Sequence, residues 1–383
     1  MKILFVADSF NRRSKQIMRG LEILQKAFML DLSLLFLNGD TNSSGRNFKK
    51  ITQASDIGKN RSSFDLIIFS SWAGEEPEFD VVTAACDARF IVDFQDCAEG
   101  LDYLPANDER KQRQALLMGK ASGMLMRDPR WMNYSTTSKI IKNKNCILFR
   151  DYFFKKALQT PFSESCDLNK VCFIGSFGRD RLEPELGYTK IFEELLKQKI
   201  KVIFIPKSDH SDYSDKCPYW KLAKKDSNFI FQKTVRMQDI SKIINSCGIG
   251  LNLIQGDLFQ DKLIEVNPEY LKGCSSARLC DYTESGIGVG VTASLKYMKE
   301  IWGPSGACLL LDSEKLSNFK DCIAEAKYNF NLNTYINWYN KNLLENNLST
   351  FQGLIQETTG KNLVKKSFLR TFFSSGFNLD RQS

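Results

Sequence analysis

Short apolar runs alternate with longer amphipathic stretches along most of the chain. The run Ile3-Leu4-Phe5-Val6 has no polar interruption, which predicts a strand buried on both faces over residues 2–7. Asp8 to Arg13 is a polar turn. Ser14 is placed to cap a helix through about Phe28, with Ile17, Leu21, Leu24 and Phe28 on one stripe. Residues 32–37 form a second apolar run. Strand, helix and strand in that order predict parallel pairing through a helical crossover. Residues 38–63 are polar and read as loop with a short helix. Further strands are expected at 64–69, 88–94, 123–127 and 146–150, with a basic helix over 108–122.

From residue 171 the pattern begins again. Strands are predicted at 171–175, 201–205, 228–231, 248–253, 288–292 and 308–311. Helices are predicted at 188–198, 237–246, 277–285, 296–301 and 315–327. Residues 151–169, with Pro161 and no periodicity, read as the connection between two α/β units. The expectation is a Rossmann-like domain over 1–155, a second over 170–330, and helices over 331–383 packing back across both. The fold class is α/β, two Rossmann-like domains facing a cleft.

Composition narrows the function. At 383 residues the chain exceeds one compact core. With 43% hydrophobic and 26% charged residues it reads as an ordinary soluble protein, and no apolar run reaches the roughly 18 residues of a membrane span. Met1-Lys2 runs directly into the first strand, which predicts no signal peptide and a cytoplasmic location. The 11 cysteines are scattered without a C-x-x-C, so they read as small buried hydrophobes and not as a disulfide framework or zinc site. The single histidine, His210, excludes a site built on several His ligands and lies in a polar run that reads as a solvated loop. From Val6 to Arg19 there is no glycine, which argues against NAD or FAD at the first turn. The formal charge of +8 suits an anionic small substrate, an acidic membrane surface or simple solubility. No basic-aromatic motif of a nucleic-acid reader occurs, so no nucleic-acid partner is expected. The basic stretches 108–122 and 363–377 admit peripheral contact with the inner membrane, although solvated and self-packed surfaces are the favoured readings.

The richest stretch is 275–291. Ser275 and Ser276 precede a helix over 277–285, and a glycine break and a small-residue strand follow. Arg278 in the first turn, with two hydroxyls and the free N–H groups of a helix start, suits a phosphate. Arg278 and Asp281 are three apart and share a face, so a surface ion pair and a ligand clamp are equal readings of the pair. Trp72 lies just past the third apolar run and Asp96 just past the fourth, where open α/β sheets bind ligands. For Asp96, a helix cap stands beside a hydroxyl anchor or base.

Two α/β halves of this kind resemble the GT-B glycosyltransferases, in particular the retaining family with the "glycosyl transferases group 1" C-terminal domain. The signature is Arg278-Leu279-Cys280-Asp281-Tyr282 with Gly286 five residues after Asp281, similar to that family's basic-x-x-acid-Tyr-x-x-x-Gly. The resemblance implies a sugar transferred from a nucleotide-diphosphate sugar, with retention, to a glycan, lipid-linked or protein acceptor, as in polysaccharide biosynthesis. It implies Asp281 on the ribose, Arg278 on the diphosphate, and Thr234 and Val235 at the base. Ser176, Arg179, Arg181, Lys233, Ser275, Ser276 and Tyr282 join them on the donor side. Ser9, Asn11 and Arg12 replace the family's glycine-rich acceptor turn and, with Trp72, form the acceptor side. Asp96 and Arg278 are the catalytic candidates. The chain contains no Asp-x-Asp, so neither metal nor bound cofactor is expected. It departs from the family at Gly273, where a glutamate would fall, and in lacking an N-terminal histidine. A non-catalytic GT-B-like binding protein and a nucleotide-sugar epimerase are the alternatives.

Overall fold

In a computed structural model of the chain the apolar runs become strands of two parallel sheets. The structure describes residues 1–37, 48–53, 57, 64–71, 78–85, 88–100, 108–156, 158–164, 166–175, 188–206, 217–232, 237–254, 258–259 and 272–366. The first sheet contains β1 (Lys2–Ala7), β2 (Asp31–Phe36), β3 (Lys49–Ile51), β4 (Leu66–Ser71), β5 (Arg89–Phe94), β6 (Gly123–Met126) and β7 (Asn145–Leu148). Their spatial order is β3-β2-β1-β4-β5-β6-β7. Its helices are α1 (Arg12–Ala27), α2 (Glu78–Ala85), α3 (Glu109–Lys120) and α4 (Ser135–Ile141).

The second sheet contains β8 (Lys170–Gly175), β9 (Lys201–Pro206), β10 (Phe229–Phe231), β11 (Ile249–Asn252), β12 (Gly288–Thr292) and β13 (Cys308–Leu311). They run β10-β9-β8-β11-β12-β13. Around it lie α5 (Thr189–Lys197), α6 (Pro218–Lys225), α7 (Met237–Ile244), α8 (Ala277–Glu284) and α9 (Lys296–Trp302). Then come α10 (Ser313–Ser317), α11 (Phe319–Asn329), α12 (Leu332–Lys341) and α13 (Leu348–Thr359). Each sheet reverses its strand order once, between β1 and β4 and between β8 and β11. The crevice outside the strand ends at such a reversal is where open α/β sheets take ligands.

The inner strands are buried on both faces, as their continuous apolar runs require, while the edge strands β3 and β7 are partly exposed. On one side of the first sheet, Ile3 and Phe5 pack with Ile17, Leu21 and Leu24 of α1. On the other, Phe69 and Phe94 pack with Phe79, Leu117 and Met118. The end of the chain divides between the two halves. Tyr335, Trp338 and Tyr339 of α12 join the second core, whereas Leu348, Phe351, Leu354 and Ile355 of α13 join the first. The two crossings run side by side, because Phe153 N donates to Asn342 O at 3.0 Å and Leu344 N to Phe153 O at 2.9 Å.

Several local expectations change. The N-cap of α1 is Asn11, not Ser14. The Asn11 side chain accepts from Ser14 N while the Ser14 hydroxyl accepts from Asn11 N, a reciprocal capping box. Strand β3 and helices α2, α4 and α6 were not evident from periodicity, being short or only weakly patterned. The helix expected over 315–327 is broken at Asn318, whose φ of −117° and ψ of 37° separate α10 from α11. Among the described residues, no helix is long and apolar enough to cross a membrane.

Candidate functional site

Helix α8 follows β11 and lies over the reversal of the second sheet. Its sequence sends Arg278 and Asp281 to different partners, so the ion pair within the helix does not form. The Arg278 guanidinium lies over the Phe173 ring, 5.2 Å from its centroid. It also reaches the carboxyl end of β8, where a Cβ built on Gly175 would fall 2.8 Å from Arg278 Nη1. The cation is thus held at the strand end by an aromatic face and by a position with no side chain.

Asp281 turns to the first domain. Its Oδ1 pairs with Arg12 Nη1 at 2.5 Å, and Glu284, one turn on, pairs with Arg12 Nη2 at 2.5 Å. Arg12 is the first residue of α1, at the reversal of the first sheet, so the two crevices face each other and one guanidinium joins them. Arg12 Nη2 also donates to Tyr152 O at 3.0 Å, and its guanidinium lies 4.8 Å over Phe154. Glu284 accepts from Phe154 N at 2.8 Å and pairs with Lys156 at 2.8 Å. Burial opposes the charge on Arg12, but Asp281 and Glu284 outweigh it and hold the guanidinium protonated. Burial likewise pushes Glu284 up, and Arg12 and Lys156 overcome it, leaving the carboxyl below its ordinary range. Lys15, one turn along α1, is lowered by burial, against the pull of Asp281, with Arg12 and Lys156 adding to the lowering.

The other end of α8 also touches the first domain. Ser275 Oγ donates to Asp128 Oδ2 at 3.4 Å. Asp128 is fully buried and holds Arg130 through Nε at 2.9 Å and Nη2 at 2.8 Å. Arg130 Nη2 lies 3.3 Å from Asp96 Oδ1, so Asp96 sits within this cluster, partly exposed. Ser276 is the N-cap of α8 but makes no side-chain cap bond.

Below the first crevice is a second charge pair. Arg13 donates to Asp93 through Nε at 2.9 Å and Nη2 at 2.5 Å, and Ser70 Oγ donates to Asp93 Oδ2 at 2.8 Å. Both charged residues are buried.

Of the residues expected from sequence, the structure brings together Arg12, Asp96, Ser275, Ser276, Arg278 and Asp281 along this cleft. Ser9 and Asn11 spend their polar groups on the turn itself, with Ser9 Oγ donating to Asp8 and Asn11 Nδ2 to Ser9. Tyr282 faces the core and not the cleft. Its ring is fully buried against Gly250, and its hydroxyl accepts from Ile174 N at 3.0 Å, tying α8 to β8. Trp72, Ser176, Arg179, Arg181, Lys233, Thr234, Val235 and His210 lie outside the described residues. Sequence reasoning missed Glu284, Arg13, Asp93, Asp128 and Arg130. Two signals were available: the acid pair Asp281 and Glu284 at i, i+3 on one helix, and the lone acid in the apolar strand Arg89–Phe94.

No protein-family model matches the chain, and no curated protein matches it. Solved structures do. HepE from Anabaena, in complex with UDP-glucose, is similar at a TM-score of 0.60 and 12% identity over 94% of this chain and 100% of that one. The apo form of WaaB, a lipopolysaccharide outer core galactosyltransferase, is similar at 0.55 and 11% over 93% of this chain and 99% of that one. A Listeria monocytogenes protein whose name assigns it as a UDP-N-acetylglucosamine 2-epimerase is similar at 0.51 and 10% over 94% and 96%. At such identities the likeness is one of fold, and the fold is the GT-B arrangement of two Rossmann-like domains facing a cleft.

Proposed function

We propose that the chain is a glycosyltransferase that moves a sugar from a nucleotide-diphosphate sugar to a glycan, lipid-linked or protein acceptor. The carrying observation is Arg278, a cation set against the bare backbone of Gly175 at the strand-order reversal of the second sheet. A departing nucleoside diphosphate develops negative charge there, and Arg278 with the first N–H groups of α8 supplies the opposing charge without a metal. Asp281, half exposed, offers its second carboxylate oxygen to the ribose hydroxyls. Arg179, Arg181 and Lys233 supply further donor-side charge, with Ser176, Thr234 and Val235 near phosphate and base. Asp96, held by Arg130, anchors the acceptor hydroxyl or serves as its base. With retention, the leaving phosphate itself takes the acceptor proton. HepE, solved with UDP-glucose, and WaaB, a galactosyltransferase, support the reading. Peripheral contact with the inner membrane through the basic stretches belongs to the same proposal.

One observation favours a second reading, a non-catalytic binding protein. The family's glutamate position, Gly273, is closed by Arg130, since a Cβ there would fall 2.5 Å from Arg130 Cγ. Titration calorimetry with UDP and GDP tests the first step: one of them should bind, and Arg278→Ala should weaken it at least tenfold. Donor hydrolysis with and without EDTA then separates enzyme from binder. Absence of nucleotide binding, or an Arg278→Ala variant with unchanged affinity, refutes the donor site.

A further inference from the structure

Asp281 is the half-exposed end of a chain of contacts that grows more buried behind it. Its side chain is 46% exposed, Arg12 is 10% exposed, and Glu284 is 1% exposed. Arg12 is held by Glu284, by the Tyr152 carbonyl, by the Phe154 ring, and by its place in the capped first turn of α1. Asp281 Oδ1 is held by this guanidinium, and Oδ2 has no hydrogen-bond partner among the described residues. A forked guanidinium bridging two acids on one helix face sets both carboxylate orientations at once, which a lysine ammonium does not do.

We propose that Arg12 is a positioning residue for the nucleotide-sugar donor, fixing the Asp281 carboxylate so that Oδ2 meets the ribose hydroxyls only when the two domains are together. This rests on the reading of Arg278 and Asp281 as the donor site. It moves Arg12 from the acceptor side, where sequence placed it, to the donor side. Because Arg12 comes from the first domain and Asp281 from the second, ribose recognition and domain closure are one equilibrium, and each favours the other. A bridge that only held the domains together would affect stability but would not sense a ribose hydroxyl.

The readout is therefore ribose discrimination. Calorimetry compares UDP and GDP with their 2′-deoxy analogues on the full chain, in wild type, Arg12→Lys, Asp281→Asn and the double variant. The wild type should prefer the ribonucleotide about tenfold. Arg12→Lys and Asp281→Asn should each abolish that preference, and the double variant should lose no more than either. Should Arg12→Lys fail to melt cooperatively, Glu284→Gln carries the same test, since it unseats Arg12 while keeping both partners of the pair. The inference is overturned if Arg12→Lys keeps the preference while Asp281→Asn loses it, or if the two losses add. It also falls alone if Arg278→Ala weakens UDP and Arg12→Lys binds and discriminates like wild type. If the wild type binds neither nucleotide, the donor-site reading falls with it.

Discussion

Two glycines in the second sheet make the placement of α8 testable, because the same substitution should have opposite consequences at each. At Gly175 an added Cβ falls 2.8 Å from Arg278 Nη1 and 2.8 Å from Phe173 Cε1. The guanidinium is the far end of a flexible side chain and can swing away. The Phe173 ring is buried and shifts only at a cost, so Gly175→Ala should lose about 1–2 kcal/mol from that shift and from the stacking of Arg278 on Phe173, less than the loss at Gly250. At Gly250 the added Cβ falls 2.2 to 2.5 Å from the Tyr282 ring atoms. That ring is fully buried, and its hydroxyl is tied to Ile174 N at 3.0 Å, so it cannot yield. Gly250→Ala should cost about 3 kcal/mol. Function should move the other way. Displacing Arg278 removes a charge-assisted contact to diphosphate, so Gly175→Ala should weaken UDP by roughly ten- to a hundredfold. Gly250→Ala should leave the affinity of its folded fraction unchanged. Urea unfolding followed by circular dichroism gives the stabilities and calorimetry the affinities. Equal stability losses in the two variants, or undiminished nucleotide binding by Gly175→Ala, would refute the assignment of Arg278 to the end of β8.

Two further outcomes concern the buried charges. Glu284 lies below its ordinary range when folded, so the stability it contributes is fully present above the unfolded value of about 4.3 and fades as pH falls through the lower folded value. In urea melts wild type should exceed Glu284→Gln at pH 6, with the gap closing below about pH 4; a gap independent of pH would contradict an ionised pair with Arg12 and Lys156. At the Arg13–Asp93 pair, Arg13→Met alone should cost about 3–5 kcal/mol, because it strands a buried carboxylate. The double variant Arg13→Met, Asp93→Leu should regain most of that, and a double variant no more stable than the single would show that the pair's geometry, not its charge balance, holds the crevice.

Much of the architecture was legible because parallel strands buried on both faces leave an uninterrupted apolar signature. Ile3-Leu4-Phe5-Val6 and Val171-Cys172-Phe173-Ile174 each open a sheet, and both were readable as such. Helices with a full apolar stripe, such as α1 and α5, were equally plain. What escaped was short or weakly patterned. Strand β3 has only Lys49, Lys50 and Ile51, two of them polar, and owes its conformation to pairing with Ser33–Leu35 of β2. Helix α4, Ser-Thr-Thr-Ser-Lys-Ile-Ile, has poor helix formers in its first turn and is started by the Glu99 carboxylate, which accepts from Thr136 N at 2.9 Å and Thr137 N at 2.8 Å. No local pattern announces a cap that arrives from 36 residues away.

The candidate site was legible only as far as one helix carries it. Spacing put Arg278 and Asp281 on a common face, and the ion pair, one of two equal readings, does not form because each side chain has a partner outside α8. Asp281 is joined to a residue 269 positions earlier, and periodicity contains no information at that range. The same distance bears on two positions where the sequence departs from the pattern it resembles. Read along the chain, Ser9-Phe10-Asn11-Arg12 in place of a glycine turn and Gly273 in place of an acid are unrelated losses. In space they are the two ends of one contact, since Arg12 meets Asp281 and Glu284 at the far end of α8 while Arg130 closes over Gly273 before its start. A glutamate at 273 would collide with the Arg130 backbone as well as its side chain, the built Cβ lying 2.8 Å from Arg130 N. A glycine turn before α1 would leave Asp281 and Glu284 as neighbouring carboxylates with Lys15 and Lys156 alone to offset them. The first domain thus presents arginines to both ends of α8, and the missing acid at 273 is the condition for one of them to be there.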